Sequence, residues 1–161
     1  MGRRLLRNSS MVLNITCATR QTPKDDIYRE TMNKISVTTT SKNQFIDITA
    51  KVQDAIAKSG ISDGIVCVFV PHTTAGLTIN ENADPDVVRD MLSTLTALVP
   101  DRPEYRHFEG NSDAHVKSSL LGCSVNIILE NGKLQLGTWQ SIYFSEFDGP
   151  RNRQVWITIT G

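Results

Sequence analysis

Apolar positions along the chain change their period several times, and each change marks an element. Ile35-Ser36-Val37-Thr38-Thr39-Thr40 is β-branched and polar by turns, the composition of a strand. Asp47 then precedes Ile48, Val52, Ala55 and Ile56, whose spacing puts them on one helical face, with Gly60 as the stop. From Gly64 to Val70 the run is almost unbroken apolar, which predicts a strand covered on both faces. Leu77-Thr78-Ile79 is a further short apolar strand.

Asp84-Pro85 opens a second helix, an N-cap oxygen followed by proline at the first helical position. Val87, Val88, Met91, Leu92, Leu95 and Leu98 form its apolar stripe, while Asp86, Arg89, Asp90 and Ser93 face away. A third, shorter helix fits Ser112 to Leu121, capped by Ser112 and closed by Gly122. Val125 to Glu130 and a strand through Leu134 and Leu136 flank an Asn131-Gly132 hairpin turn. The last strands, Trp139 to Phe147 and Gln154 to Thr160, flank the turn 148–152. Helices inserted among many strands, without βαβ alternation, predict an α+β fold with a largely antiparallel sheet or sandwich and about three helices. In strand 139–147, Trp139, Tyr143 and Phe147 point one way and Ile142 and Phe144 the other, so both faces need cover. A subunit interface or a layer of helices would supply it.

Charge and cysteine content narrow the classes. Seventeen basic and 17 acidic residues give a formal charge of zero, which argues against a general nucleic-acid binder. No apolar stretch approaches the roughly 20 residues that span a bilayer. Cys17, Cys67 and Cys123 are odd in number and lack CxxC spacing, so neither a disulfide framework nor a cysteine-based zinc site is expected, and a reducing, cytoplasmic setting fits. Residues 1–33 read as an N-terminal extension and 34–161 as one domain. The start carries Arg3, Arg4, Arg7, Arg20 and Lys24 with no acid before Asp25, a pattern shared by mitochondrial and other organellar leaders, by plain disordered extensions and by a misassigned start with Met11 or Met32 as the initiator.

Chemistry-bearing residues fall in three clusters. His72 follows the strand 64–70 through Pro71, His107 sits in the loop 103–107, and His115 falls in the first turn of the third helix, where the helix dipole disfavours an imidazolium. Their spacing alone matches no metal motif. Asn80-Glu81-Asn82-Ala83-Asp84-Pro85-Asp86 packs carboxylates and amides around a helix start. Capping accounts for Asp84 and Asp86, but not for Asn80 and Glu81. Gly110 to Ser118 offers a helix N-terminus with Ser112 and Lys117, suited to phosphate oxygens or to plain capping. Glu146 shares a strand face with Ile142 and Phe144, and is either paired there or already in solvent at the strand's end.

Three stretches, taken in order, resemble one family. They are His72-Thr73-Thr74-Ala75-Gly76-Leu77-Thr78-Ile79-Asn80-Glu81-Asn82-Ala83-Asp84-Pro85-Asp86-Val87, then Asp113-Ala114-His115-Val116-Lys117-Ser118-Ser119-Leu120-Leu121-Gly122, then Leu136-Gly137-Thr138-Trp139-Gln140-Ser141-Ile142-Tyr143 through Glu146-Phe147-Asp148-Gly149-Pro150-Arg151. Their order and spacing are similar to the YjbQ-like, or secondary thiamine-phosphate synthase, family. The resemblance implies a β-sandwich that assembles as a homotrimer. It also implies a metal site at His72, His107 and His115, holding a divalent ion for which zinc is a candidate, and a weak ability to make thiamine phosphate.

On that basis Glu81 and His115 are the expected catalytic residues, with Glu81 as general base. Asn80, Ser112, Lys117 and Glu146 are expected to bind a small phosphorylated metabolite. Two alternatives use the same residues: a metal-dependent hydrolase of such a metabolite, and a trimer that binds one without turnover.

Overall fold

The computed structural model describes residues 32–161. The expected extension 1–33 therefore lies almost wholly outside the described residues. Among the described residues, eight strands and three helices follow in the order β1 (Asn33–Thr38), β2 (Gln44–Asp47), α1 (Thr49–Ser59), β3 (Gly64–Phe69), β4 (Ala75–Glu81), α2 (Pro85–Leu98), α3 (Ser112–Leu121), β5 (Ser124–Glu130), β6 (Lys133–Leu134), β7 (Gln140–Glu146) and β8 (Asn152–Thr160). They form two antiparallel sheets, β1-β8-β3-β5-β6 and β2-β7-β4. The fold is the expected α+β sandwich.

The two inner faces share one core. Val66, Val68, Val155, Ile157 and Ile159 meet Leu77, Ile142 and Phe144, and Val52, Ala55 and Ile56 of α1 join them. Alternate inward residues on paired strands make such a core from period-two patterns. The Asn131-Gly132 turn forms as expected: both residues have positive φ (52° and 73°), and Leu129 and Glu130 pair with Leu134 and Lys133.

Local chemistry departs from expectation at several helix and strand ends. Asp47 closes the short strand β2, and its Oδ1 accepts from Thr49 N (2.8 Å), so it satisfies the first amide of α1 from one residue outside the cap position. Asp84 caps α2 as expected, accepting from Asp86 N at 2.9 Å. Ser112 is not the cap of α3; it is the first helical residue. The cap is Asn111, whose Nδ2 donates to Asp148 Oδ2 (3.0 Å) instead of its side chain capping the helix. Strand β3 is fully covered on one face only: Val66 and Val68 are buried, while on the other face Ile65 is 45% exposed and Cys67 and Phe69 are half-buried.

Residues 141–146 of β7 are buried on both faces, and helices supply the outer cover. Phe45, Thr78 and Asn80 on the outer side of the three-stranded sheet line one cavity with Val87, Met91 and Leu95 of α2 and Leu121 of α3. Within one chain β7 itself is buried on both faces, but Trp139, expected on its outer face, precedes the strand and is 63% exposed. Yet no residue of α2 is fully buried, and Leu98 is 64% exposed. No helix among the described residues is long and apolar enough to cross a membrane.

Gly76 sets how closely α3 can lie on β4. A Cβ there would stand 2.8 Å from Gly122 O and 3.3 Å from Leu121 Cβ, and Gly122 O already accepts from Leu77 N (3.0 Å). Gly76→Ala is expected to lower stability by about 1–3 kcal/mol in urea unfolding, because a backbone group must give way. A change within about 0.5 kcal/mol, the range of neutral surface substitutions, would show that α3 shifts freely.

Candidate functional site

The site is built where β3 ends and α3 begins. Pro71 terminates β3 pairing and hands the chain to the loop 72–74. Three bonds fix that loop. Thr73 O accepts from Ser118 Oγ of α3 (2.6 Å), Thr74 O accepts from Phe147 N (3.1 Å), and Thr74 Oγ1 accepts from Arg153 Nη2 (2.9 Å). His72 is tied separately: its Nε2 accepts from the Gln154 main-chain N–H at 3.0 Å. Burial, then the Arg153 guanidinium, hold its imidazole below the ordinary histidine value, against the opposing charge of Glu146.

Two clefts meet at His115. One, of about 500 Å³, lies along the last turns of α3 between His72, Thr73, Ser118, Ser119 and Cys123. The other, of about 410 Å³, lies at the first turns of α3 between Tyr105, His107, Ser112 and Val116. His115 lines both. The His107 ring stands edge-on to His115 with centroids 5.2 Å apart, and its Nε2 lies 3.8 Å from Glu109 Oε2. The first turns of a helix favour anions and the last turns disfavour them, so the two clefts differ in electrostatic character.

The remaining expected residues lie elsewhere or are engaged. Lys117 is buried and donates to Asp113 Oδ2 at 2.8 Å, one turn earlier on α3, so its charge is spent inside the protein rather than offered to a phosphate. Burial alone would raise the Asp113 pKa, but Lys117 and Lys42 more than offset it and hold the carboxyl below its usual value. Glu146 is fully buried. Arg153 Nε and Nη2 donate to it at 2.7 and 2.6 Å, and Thr39 Oγ1, Phe147 N and Asp148 N complete its shell. Of the two readings of Glu146, the paired one holds, and no lone pair faces a cleft.

Glu81 closes β4, whose first residue, Ala75, lines the larger cleft. Six strand steps of about 3.3 Å put Glu81 roughly 20 Å along β4 from the histidines. Asn80 is beside it, with Nδ2 3.2 Å from Met91 Sδ under α2. One chain therefore does not bring Asn80 or Glu81 to His72 and His115.

A three-imidazole metal centre does not fit this arrangement. Among the described residues no three His, Cys, Asp or Glu side chains stand close enough to hold an ion. His107 and His115 are neighbours, but the Nε2 lone pair of His72 is committed to Gln154. The residues that sequence reasoning missed are Arg153, Thr74 and Tyr105. The i,i+4 spacing of Asp113 and Lys117 is the signal that could have found their pair.

The comparisons with known proteins bear on the whole domain. The family model described as "UPF0047 protein YjbQ-like" matches residues 33–161. The UPF0047 protein YugU of Bacillus subtilis is 50% identical over 131 residues, covering 81% of this chain and 99% of its own length. A UPF0047 protein of Methanocaldococcus jannaschii is 52% identical, covering 80% of this chain and 93% of its own. The crystal structure of a YjbQ/UPF0047 protein from Clostridium acetobutylicum is 59% identical, with a TM-score of 0.77 over 79% of this chain and 98% of that one. The family model spans every element from β1 to β8, and the chain belongs to the YjbQ-like UPF0047 family.

Proposed function

We propose that the protein joins two small phosphorylated metabolites in the manner of a thiamine-phosphate synthase. The observation that supports this reading is the double role of His115, which lines two adjoining clefts of unlike electrostatic character. A coupling enzyme has to hold two partners at once in attacking geometry, and two clefts sharing one wall suit that need. In the coupling step the thiazole ring nitrogen attacks the pyrimidine methylene carbon. The carbon–oxygen bond to diphosphate breaks, and diphosphate leaves with the electron pair. The attacking nitrogen has no proton to lose, so the step needs no general base and does not call on the distant Glu81. It needs hydrogen-bond donors for the departing diphosphate, and the lining of the smaller cleft by Ser112 and His107 at the first turns of α3 supports that role for them. The ring systems would occupy the larger cleft.

Two rival readings have their own signatures. A hydrolase would use one cleft, and release of phosphate from a single phosphorylated substrate would favour it. Tight binding without turnover would favour a ligand-binding trimer. Incubating the purified chain with a pyrimidine diphosphate and a thiazole phosphate is expected to yield thiamine phosphate and diphosphate in equal amounts. Release of phosphate from either compound alone, with no coupled product, would overturn the coupling reading.

We infer that the working form is a homotrimer. A closed ring with threefold symmetry needs two different, complementary patches on each chain. The outer face of the five-stranded sheet carries Ile65 and Ile128 (45% and 61% exposed), and the α2–α3 side carries Leu98, Val116 and Leu120. Sedimentation of the chain at micromolar concentration should give a species three times its 17.9 kDa mass. A monomer at that concentration would remove the trimer. The free thiols Cys67 and Cys123 support a reducing, cytoplasmic setting.

A further inference from the structure

The hydrogen bond between β8 and His72 decides what that histidine can do. Gln154 lies just beyond the last β3–β8 pair, Phe69 with Trp156, where Pro71 has ended the strand. Its main-chain N–H, left without a strand partner, donates to His72 Nε2 at 3.0 Å. A peptide N–H can only donate, so Nε2 must keep its lone pair. The single proton of the neutral ring then sits on Nδ1.

Metal binding would break this arrangement from either side. Ligation through Nε2 takes the lone pair that Gln154 uses. Ligation through Nδ1 moves the ring proton to Nε2, where two N–H groups would face each other.

His72 lines the cleft along the last turns of α3. Ser118, Ser119 and Gly122 bring the last turn and C-cap of α3 to it, the end whose partial negative charge repels anions. An uncharged acceptor is therefore a better match there than a phosphate oxygen. We propose that His72 is a fixed Nδ1–H donor to an uncharged acceptor of the substrate, such as a pyrimidine ring nitrogen, and is not a metal ligand. The identity of the acceptor rests on the coupling reading above; the donor assignment rests on the Gln154 bond alone.

The test separates the two. Long-range proton–nitrogen correlation spectra of the full chain, labelled at histidine, are expected to show His72 as the Nδ1–H tautomer. Added zinc should leave its nitrogen shifts in place. An Nε2–H tautomer, or zinc-dependent shifts at His72, would overturn the assignment. Calorimetric titration with a methylated aminopyrimidine adds the ligand arm. An asparagine amide nitrogen falls near the Nδ1 position, whereas a glutamine amide reaches towards Nε2. His72→Asn should keep binding near the wild-type level, and His72→Gln should weaken it by up to about tenfold, the worth of one lost neutral hydrogen bond. Equal losses in both variants would count against a donor at Nδ1. No aminopyrimidine binding by the wild type would sink the coupling reading and the acceptor named here, while the spectra still judge the donor by themselves.

Discussion

Arg153→Met should be among the most damaging single substitutions in the domain, lowering stability by about 3–5 kcal/mol in urea unfolding at neutral pH. The reason is the carboxylate left behind. Glu146 is fully buried, and the two shortest of its bonds come from the Arg153 guanidinium, at 2.6 and 2.7 Å. Removing the cation leaves an uncompensated charge in the core, where desolvation is costly and three weaker donors, Thr39, Phe147 and Asp148, cannot balance it. Replacing both partners avoids the penalty. Arg153→Met combined with Glu146→Leu is expected to recover most of the loss, since an apolar pair of similar volume has no charge to desolvate. Acid should narrow the gap in the single variant by protonating Glu146. A single variant within about 1 kcal/mol of wild type, the worth of an exposed ion pair, would mean that water reaches Glu146. The same guanidinium holds Thr74 Oγ1, so the variant should also loosen the loop that carries His72.

The parts of this molecule legible in its sequence are those governed by neighbours along the chain. The Asn131-Gly132 turn and the Asp84-Pro85 helix start formed as local chemistry dictates. Strand β2 escaped notice because four residues, Gln44–Asp47, are too short to show a period and run directly into α1. The cover over β7 was open between helices and another subunit because periodicity says that a face is buried, not by what; α2 and α3 provide it. Lys117 shows the limit most plainly. Its i,i+4 spacing to Asp113 was visible, but whether the pair faces a cleft or the interior depends on how α3 lies on β4. Arg153 meets Glu146 across the turn between β7 and β8, a pairing that periodicity alone does not disclose. Resemblance grouped His72 with the other histidines, whereas the Gln154 amide, a main-chain group with no sequence signature, commits its Nε2 elsewhere. The remoteness of Glu81 could have been read from the length of β4 alone.

His115→Ala should have the largest effect on function. The residue sits in α3 as the wall common to both clefts, its ring edge-on to His107. Removing the imidazole takes a polar donor from the place where diphosphate would leave, and it opens one cleft into the other. Loss of one such group at a reacting centre lowers rates by about 10²–10⁴, and thiamine-phosphate formation should fall by a factor in that range. The fold should survive. His115 is only partly buried, its side chain accepts no structural hydrogen bond among the described residues, and α3 buries Ala114 and sets Leu121 beside Gly76 instead. Alanine also favours the helix, so unfolding should shift by less than about 1 kcal/mol. Activity and stability are therefore expected to separate in this variant, unlike Arg153→Met, where they should fall together. Rates and urea midpoints measured on one preparation decide the matter. An active His115→Ala protein would mean that the two clefts do not meet in catalysis, and a variant that loses both activity and several kcal/mol of stability would make His115 a packing residue.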